Sequence, residues 1–165
     1  MRMWLARSWL VWSVAMLSAC SAADCSSPER ELRASFATRL QLLEQLRYMS
    51  DQDASVIRIA PTFTRLRDDW SWPRAEDKLG FSAVRWDKYR RLFALTGATE
   101  GLERDESALM LTTKACGLGI SGKSFGYAYL EKPPPVALPK LEAQRTQGIW
   151  YVPLERNWYM FVRGT

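Results

Sequence analysis

Residues 117–124 read Gly-Leu-Gly-Ile-Ser-Gly-Lys-Ser, which matches the letters G-x-x-x-x-G-K-S of a phosphate-binding loop. That chemistry needs a strand before the loop and a helix after it, so that the helix's first N–H groups point at phosphate. Residues 125–130 instead read as a strand with Gly126 inside it, and no alternation of strands and helices surrounds them. The segment is therefore expected to be a glycine-rich connection or bulge between antiparallel strands. Two sets of carboxylates, Asp68 with Asp69 and Glu103 with Asp105 and Glu106, are of the type used in glycoside or metal chemistry. Nothing in their spacing fixes a pair in space, so they read as solvated loop charges. The chain contains no histidine, which excludes Ser-His-Asp and Cys-His catalysis and ordinary zinc sites. Carboxylate or lysine chemistry stays open, but no catalytic residue, metal or cofactor is expected.

Binding is the stronger expectation. Trp70, Trp72 and Arg74 fall in an irregular stretch, and exposed aromatics with arginine dominate protein–protein hot spots. The competing reading folds both indoles back over the core. Arg90 and Arg91, with Lys88, form the basic side of a predicted helix and would steer an acidic partner. Lys123 is a lesser candidate for the same role. The net charge of +5 is spread without a run of five like charges, which gives no argument for nucleic acid.

The first residues carry an address. Arg2 and Arg7 form a positive region, residues 9–17 are apolar, and Leu17-Ser18-Ala19-Cys20 closes the segment. This is the three-part pattern of a secretory signal, and its end resembles the lipobox of bacterial lipoproteins. The apolar run is too short to span a bilayer. The resemblance implies cleavage before Cys20, with lipid on that thiol. Residues 1–19 are then the signal, residues 20–26 the anchor and tether, and residues 27–165 a single domain. Losing Arg2 and Arg7 lowers the net charge from +5 to +3. Ser21, rather than aspartate, after Cys20 favours the outer membrane, with the body in the periplasm. In that oxidising compartment Cys25 and Cys116 are expected to pair. A redox-active thiol is the alternative, but there is no CxxC.

The elements that position these residues follow from pattern. A helix is expected from Ser27 as N-cap and Pro28 as first position, with Glu29 and Glu31 in its first turn, fading over residues 49–53. Leu32, Phe36, Leu40, Leu43 and Leu46 form its apolar stripe. Residues 56–59 read as a strand and 62–66 as a short second one. Residues 75–81 read as a loop. Ser82 should cap a second helix that stops at Gly97, with Trp86, Tyr89, Leu92, Phe93 and Leu95 inward. Further strands are expected at 109–113 and 125–130. Residues 133–139 form a stiff proline-rich excursion, and residues 150–153 and 158–162 a closing hairpin turned at 154–157. Strands after mainly helical segments predict an α+β domain: an antiparallel sheet with two main helices packed on one face.

Arg58-Ile59-Ala60-Pro61, Trp72-Pro73-Arg74, Gly80-Phe81-Ser82, the run from Arg85 to Phe93, the run from Ser121 to Tyr129 and Asn157-Trp158-Tyr159 together resemble a group of small bacterial envelope lipoproteins. The likeness runs from about Ile57 to Tyr159, and the chain departs from the pattern at Phe125, where lysine is common. Some members resemble immunity proteins encoded beside type VI secretion effectors, particularly lipase-like ones. The resemblance implies a lipid-anchored protein that binds and occludes a secreted toxin. It carries over no catalytic residue. The rivals are an assembly lipoprotein of the host's own outer membrane and, less favoured, a carboxylate-based envelope hydrolase.

Overall fold

The computed structural model describes residues 25–69, 81–118, 121–141 and 147–164. Two helices, α1 (Glu29–Gln52) and α2 (Ala83–Thr96), accompany seven strands. The strands are β1 (Val56–Ile59), β2 (Thr64–Leu66), β3 (Gly101–Arg104), β4 (Ala108–Leu118), β5 (Ser121–Leu130), β6 (Gly148–Pro153) and β7 (Trp158–Gly164). They form one sheet in the order β2-β1-β3-β4-β5-β7-β6, with every neighbouring pair antiparallel. The α+β expectation is met.

Both helices lie on one face of the sheet. Leu32, Phe36, Leu43, Leu46 and Met49 of α1 and Tyr89, Leu92 and Phe93 of α2 share a core with alternate strand residues, among them Leu102, Leu111, Phe125, Tyr127, Met160 and Val162. Each fully buried side chain of that size contributes about 1.5–3 kcal/mol relative to exposure. On the opposite face Met110, Ala128, Tyr159 and Phe161 form a second, smaller cluster. The period of two along β7 produces this split, because Trp158, Met160 and Val162 face the helices while Tyr159 and Phe161 face away.

Local signals explain the boundaries. Ser82 accepts a hydrogen bond from Arg85 N at 3.2 Å, and Gly97 ends α2 at φ 73°. Arg156 and Asn157 take positive φ in the β6–β7 turn. Between β4 and β5 the pairing continues from Gly117↔Gly122 to Leu118↔Ser121. The glycine-rich segment is thus the end of a hairpin, and a strand follows Lys123-Ser124 where a phosphate loop needs a helix. Gly119 and Ile120 lie outside the described residues.

Four expectations need correction. Ser27 is not the N-cap of α1. Pro28 holds that place, because its carbonyl takes the first helical bond, from Leu32 N at 2.9 Å, and Ser27 Oγ finds no partner among the described residues. Leu95 is not inward: it is 61% exposed. Thr96 takes the buried position, where its hydroxyl donates to Leu92 O at 2.8 Å. Residues 101–104 form strand β3, which has no alternating pattern to reveal it. Glu103 therefore sits on the sheet and not in a loop. Its carboxylate lies 3.0 Å from Arg163, 3.7 Å from Arg65 and 3.9 Å from Arg58.

Candidate functional site

The ordering of α2 begins with a lock between the helices. Arg85 Nε donates to Asp53 Oδ2 at 2.8 Å, and its Nη2 reaches Met49 O at 3.1 Å and Gln52 Oε1 at 2.9 Å. Tyr89, fully buried, donates to the same Asp53 oxygen at 2.7 Å. The start of α2 is thereby fastened to the end of α1. Burial, reinforced by the Asp53 carboxylate, pushes the Tyr89 hydroxyl well above its ordinary value of 10.0. The fold favours the neutral phenol, so its contribution is full below pH 10 and lost as pH rises beyond it. Stability above about pH 10 should fall more gently in Tyr89→Phe than in the parent. Denaturant titrations at pH 8 and above 10 check this, and identical slopes would refute it.

With the inner side locked, α2 presents its other side outward. Val84, Lys88, Arg91 and Leu95 stand at intervals that repeat one helix face, and all four are exposed, Val84 by 80% and Leu95 by 61%. The stripe has apolar ends and a cationic middle. Among the described residues neither Lys88 nor Arg91 makes an ion pair. Ser82, Val84, Arg85, Asp87, Lys88 and Arg91 line an open hollow of about 580 Å³ beside the first turns. Arg90 behaves differently: it pairs with Asp87 and lies over the Trp86 ring at 4.7 Å. Trp86 in turn donates to Ala60 O at 3.0 Å. Arg90 is thus held flat, while Arg91 makes no such contact among the described residues.

A second concavity, of about 330 Å³, lies between α1 and the β3–β4 turn and includes Arg47, Asp51, Arg104, Asp105 and Tyr129 in its lining. Its cations are already engaged. Arg47 binds Glu44 at 2.9 Å and Asp51 at 3.2 Å and covers the Tyr129 ring at 4.8 Å. Arg104 donates to Ser50 Oγ at 3.1 Å and pairs with Asp51. Burial raises the Glu44 carboxyl, but bonds from the Trp158 indole, at 2.8 Å, and from Arg47 outweigh it and hold the group below its ordinary value. Asp105 accepts from Ser107 N and Ala108 N at 2.7 Å, which makes it a turn former. This network braces α1 against the sheet. No group of three metal-ligating side chains of the His, Cys, Asp or Glu type gathers among the described residues.

Cys25 and Cys116 are bonded, with Cα atoms 5.6 Å apart. Lys123 pairs with Cys116 across β4 and β5. It stands on β5 beside the disulfide, whereas Arg90 and Arg91 stand on α2. Trp70, Trp72, Arg74 and Cys20 lie outside the described residues. Sequence reasoning missed Val84 and Leu95 as surface groups. The spacing through Lys88 and Arg91 carried the signal, but apolar residues in an amphipathic helix read inward by default.

The fold defines the class of the chain, an α+β domain with a seven-stranded antiparallel sheet and two helices on one face. No family model, curated protein or solved structure matches it. Among the described residues no helix is long and apolar enough to cross a membrane.

Proposed function

We propose that the protein is a lipid-anchored envelope protein that binds a toxic, envelope-directed effector and blocks it by occlusion. The observation that supports this reading is the outward stripe of α2, in which Lys88 and Arg91 stand between Val84 and Leu95. Apolar groups beside cations that make no ion pair among the described residues suit an acidic protein surface with a hydrophobic centre. The Cys25–Cys116 bond accords with an oxidising compartment, and the signal-like start accords with a lipid at Cys20. A rigid body supports occlusion, since a preorganised surface loses little entropy on binding, and tethering raises its effective concentration.

The test is capture by the full-length protein from envelope extract, with the products of neighbouring genes expressed alongside. A one-to-one complex with a secreted enzyme that loses its activity supports the proposal. Capture of resident outer-membrane proteins alone would favour the assembly role instead. In the complex, Lys88→Glu combined with Arg91→Glu should slow association by about tenfold or more and weaken its salt dependence. Melting should shift by no more than a few degrees, because exposed charges contribute only about 0–1 kcal/mol. Unchanged association in stopped-flow measurements would move the interface off α2.

A further inference from the structure

The described chain is fastened at its start by two ties to one strand. Cys25 is bonded to Cys116 on β4, and two residues earlier on that strand Lys114 Nζ donates to Ser26 O at 3.0 Å. Both ties fall where β4 and β5 approach their shared turn, since Cys116 faces Lys123 and Leu118 faces Ser121. The direction away from that end is set by α1. Along β5, Tyr127 donates to Leu32 O at 2.8 Å, and further on the Tyr129 ring lies under Arg47. Helix and strand therefore run side by side away from the disulfide. The 24 residues of α1 span about 36 Å at 1.5 Å per residue. At the far end of that span Asp53 holds Arg85 and the start of α2, and from there α2 runs back along α1 until Gly97 faces the Arg39 guanidinium.

The two ends differ in what they offer a charged surface. Near the ties stand Arg30, Lys114 and Lys123. Arg33 there is engaged by Glu29 at 3.1 Å, and Glu29 also accepts from Leu141 N at 2.7 Å. Glu31 is exposed at this end, and so is Glu100, whose N–H donates at 3.2 Å to Thr112 O, two residues along β4 from Lys114. Cys25 lies only five residues past Cys20, a reach of at most about 18 Å.

We infer that the disulfide end is the face turned to the bilayer, with Arg30 and Lys123 over the phosphates of anionic lipids, and that α1 acts as a spacer holding the start of α2, with Val84 and Lys88, away from the membrane. This rests on the reading of Cys20 as lipidated. The disulfide shortens the free attachment, because it ties the chain to β4 only five residues past the anchor.

The test uses the full lipidated chain in vesicles of phosphatidylethanolamine and phosphatidylglycerol that carry a headgroup quencher. A fluorophore is attached through Lys123→Cys in one sample and Lys88→Cys in another, with the native disulfide kept oxidised. Quenching should be several-fold stronger at position 123 than at 88. Equal quenching, or the reverse order, would overturn the orientation. Inserting about a dozen Gly and Ser residues before Cys25 leaves the fold and disulfide in place and should erase the contrast. A contrast that survives the insertion would refute the tether's role in orienting the body. Flotation separates the two failures: a chain that does not float with vesicles refutes the anchor and the orientation with it. A chain that floats without contrast refutes the orientation alone.

Discussion

Gly126→Ala is expected to prevent folding, or to cost more than about 4 kcal/mol. Gly126 lies mid-way along β5, paired with Thr112 on one side and Phe161 on the other. A Cβ there would stand 1.9 Å from Leu111 O, 2.9 Å from Leu111 C and 3.1 Å from the Phe161 ring. The first two are backbone atoms of a strand held on both sides, so neither can retreat without breaking the ladder. Just beyond that pair, the β4–β5 register shifts between Thr112 and Lys114, a bulge that departs from regular strand spacing. A useful contrast is Gly97→Ala. Gly97, unlike Gly126, has a left-handed backbone, at φ 73°, but its Cβ would meet only the Arg39 guanidinium at 3.4 Å. That group is the end of a flexible side chain, so the cost should be the conformational one alone, about 1 kcal/mol. Thermal melting of both variants beside the parent checks the pair. A Gly126→Ala protein that melts within a few degrees of the parent would contradict the argument.

Cys116→Ser is expected to lower stability by about 4–5 kcal/mol, from the entropy of an unfolded chain released from a closed loop. The loop spans 91 residues, long enough that closure removes much freedom from the unfolded state. For a domain of this size the melting temperature should fall by roughly 10–15 °C. Cys25→Ser should do the same. The decisive comparison is the double variant, which should lose no more than either single one, because both changes remove the same constraint. Losses that add would show that each cysteine acts through its own packing. A parent protein that melts unchanged after reduction would refute the effect outright.

How much was legible in advance varied with the kind of signal. Ser82 and Gly97 bound α2 because a hydroxyl cap and a left-handed stop act locally, within one turn of chain. The turn at 154–157 was legible for a similar reason, and the apolar period of α1 identified its buried face. Strand β3 was not legible. Its four residues include a glycine at φ 80° and two charges, and it is a strand only because β1 and β4 flank it. Glu103 was misread for the same reason, since the arginines around it come from β1, β2 and β7. At the candidate surface, the basic side of α2 could be read directly. The flattening of Arg90 onto Trp86 could not, because it depends on how Trp86 is anchored to Ala60. The placement of Lys123 beside the disulfide likewise depends on the path of the sheet.

The placement of β7 has a consequence for synthesis. It is the last of the described strands to leave the ribosome, yet it sits inside the sheet, between β5 and β6. Until it arrives, β6 is held only by the bridge from Ala137 and Leu138 to Tyr151 among the described residues, and β5 offers an open edge from Lys123 to Tyr129. A chain that stops short of Trp158 therefore exposes a hydrogen-bonding edge beside apolar residues, the kind of surface that aggregates or is captured by chaperones and proteases. Closure of the sheet by its latest strand acts as a keystone, so that a truncated copy is distinguished from a finished one by its shape alone.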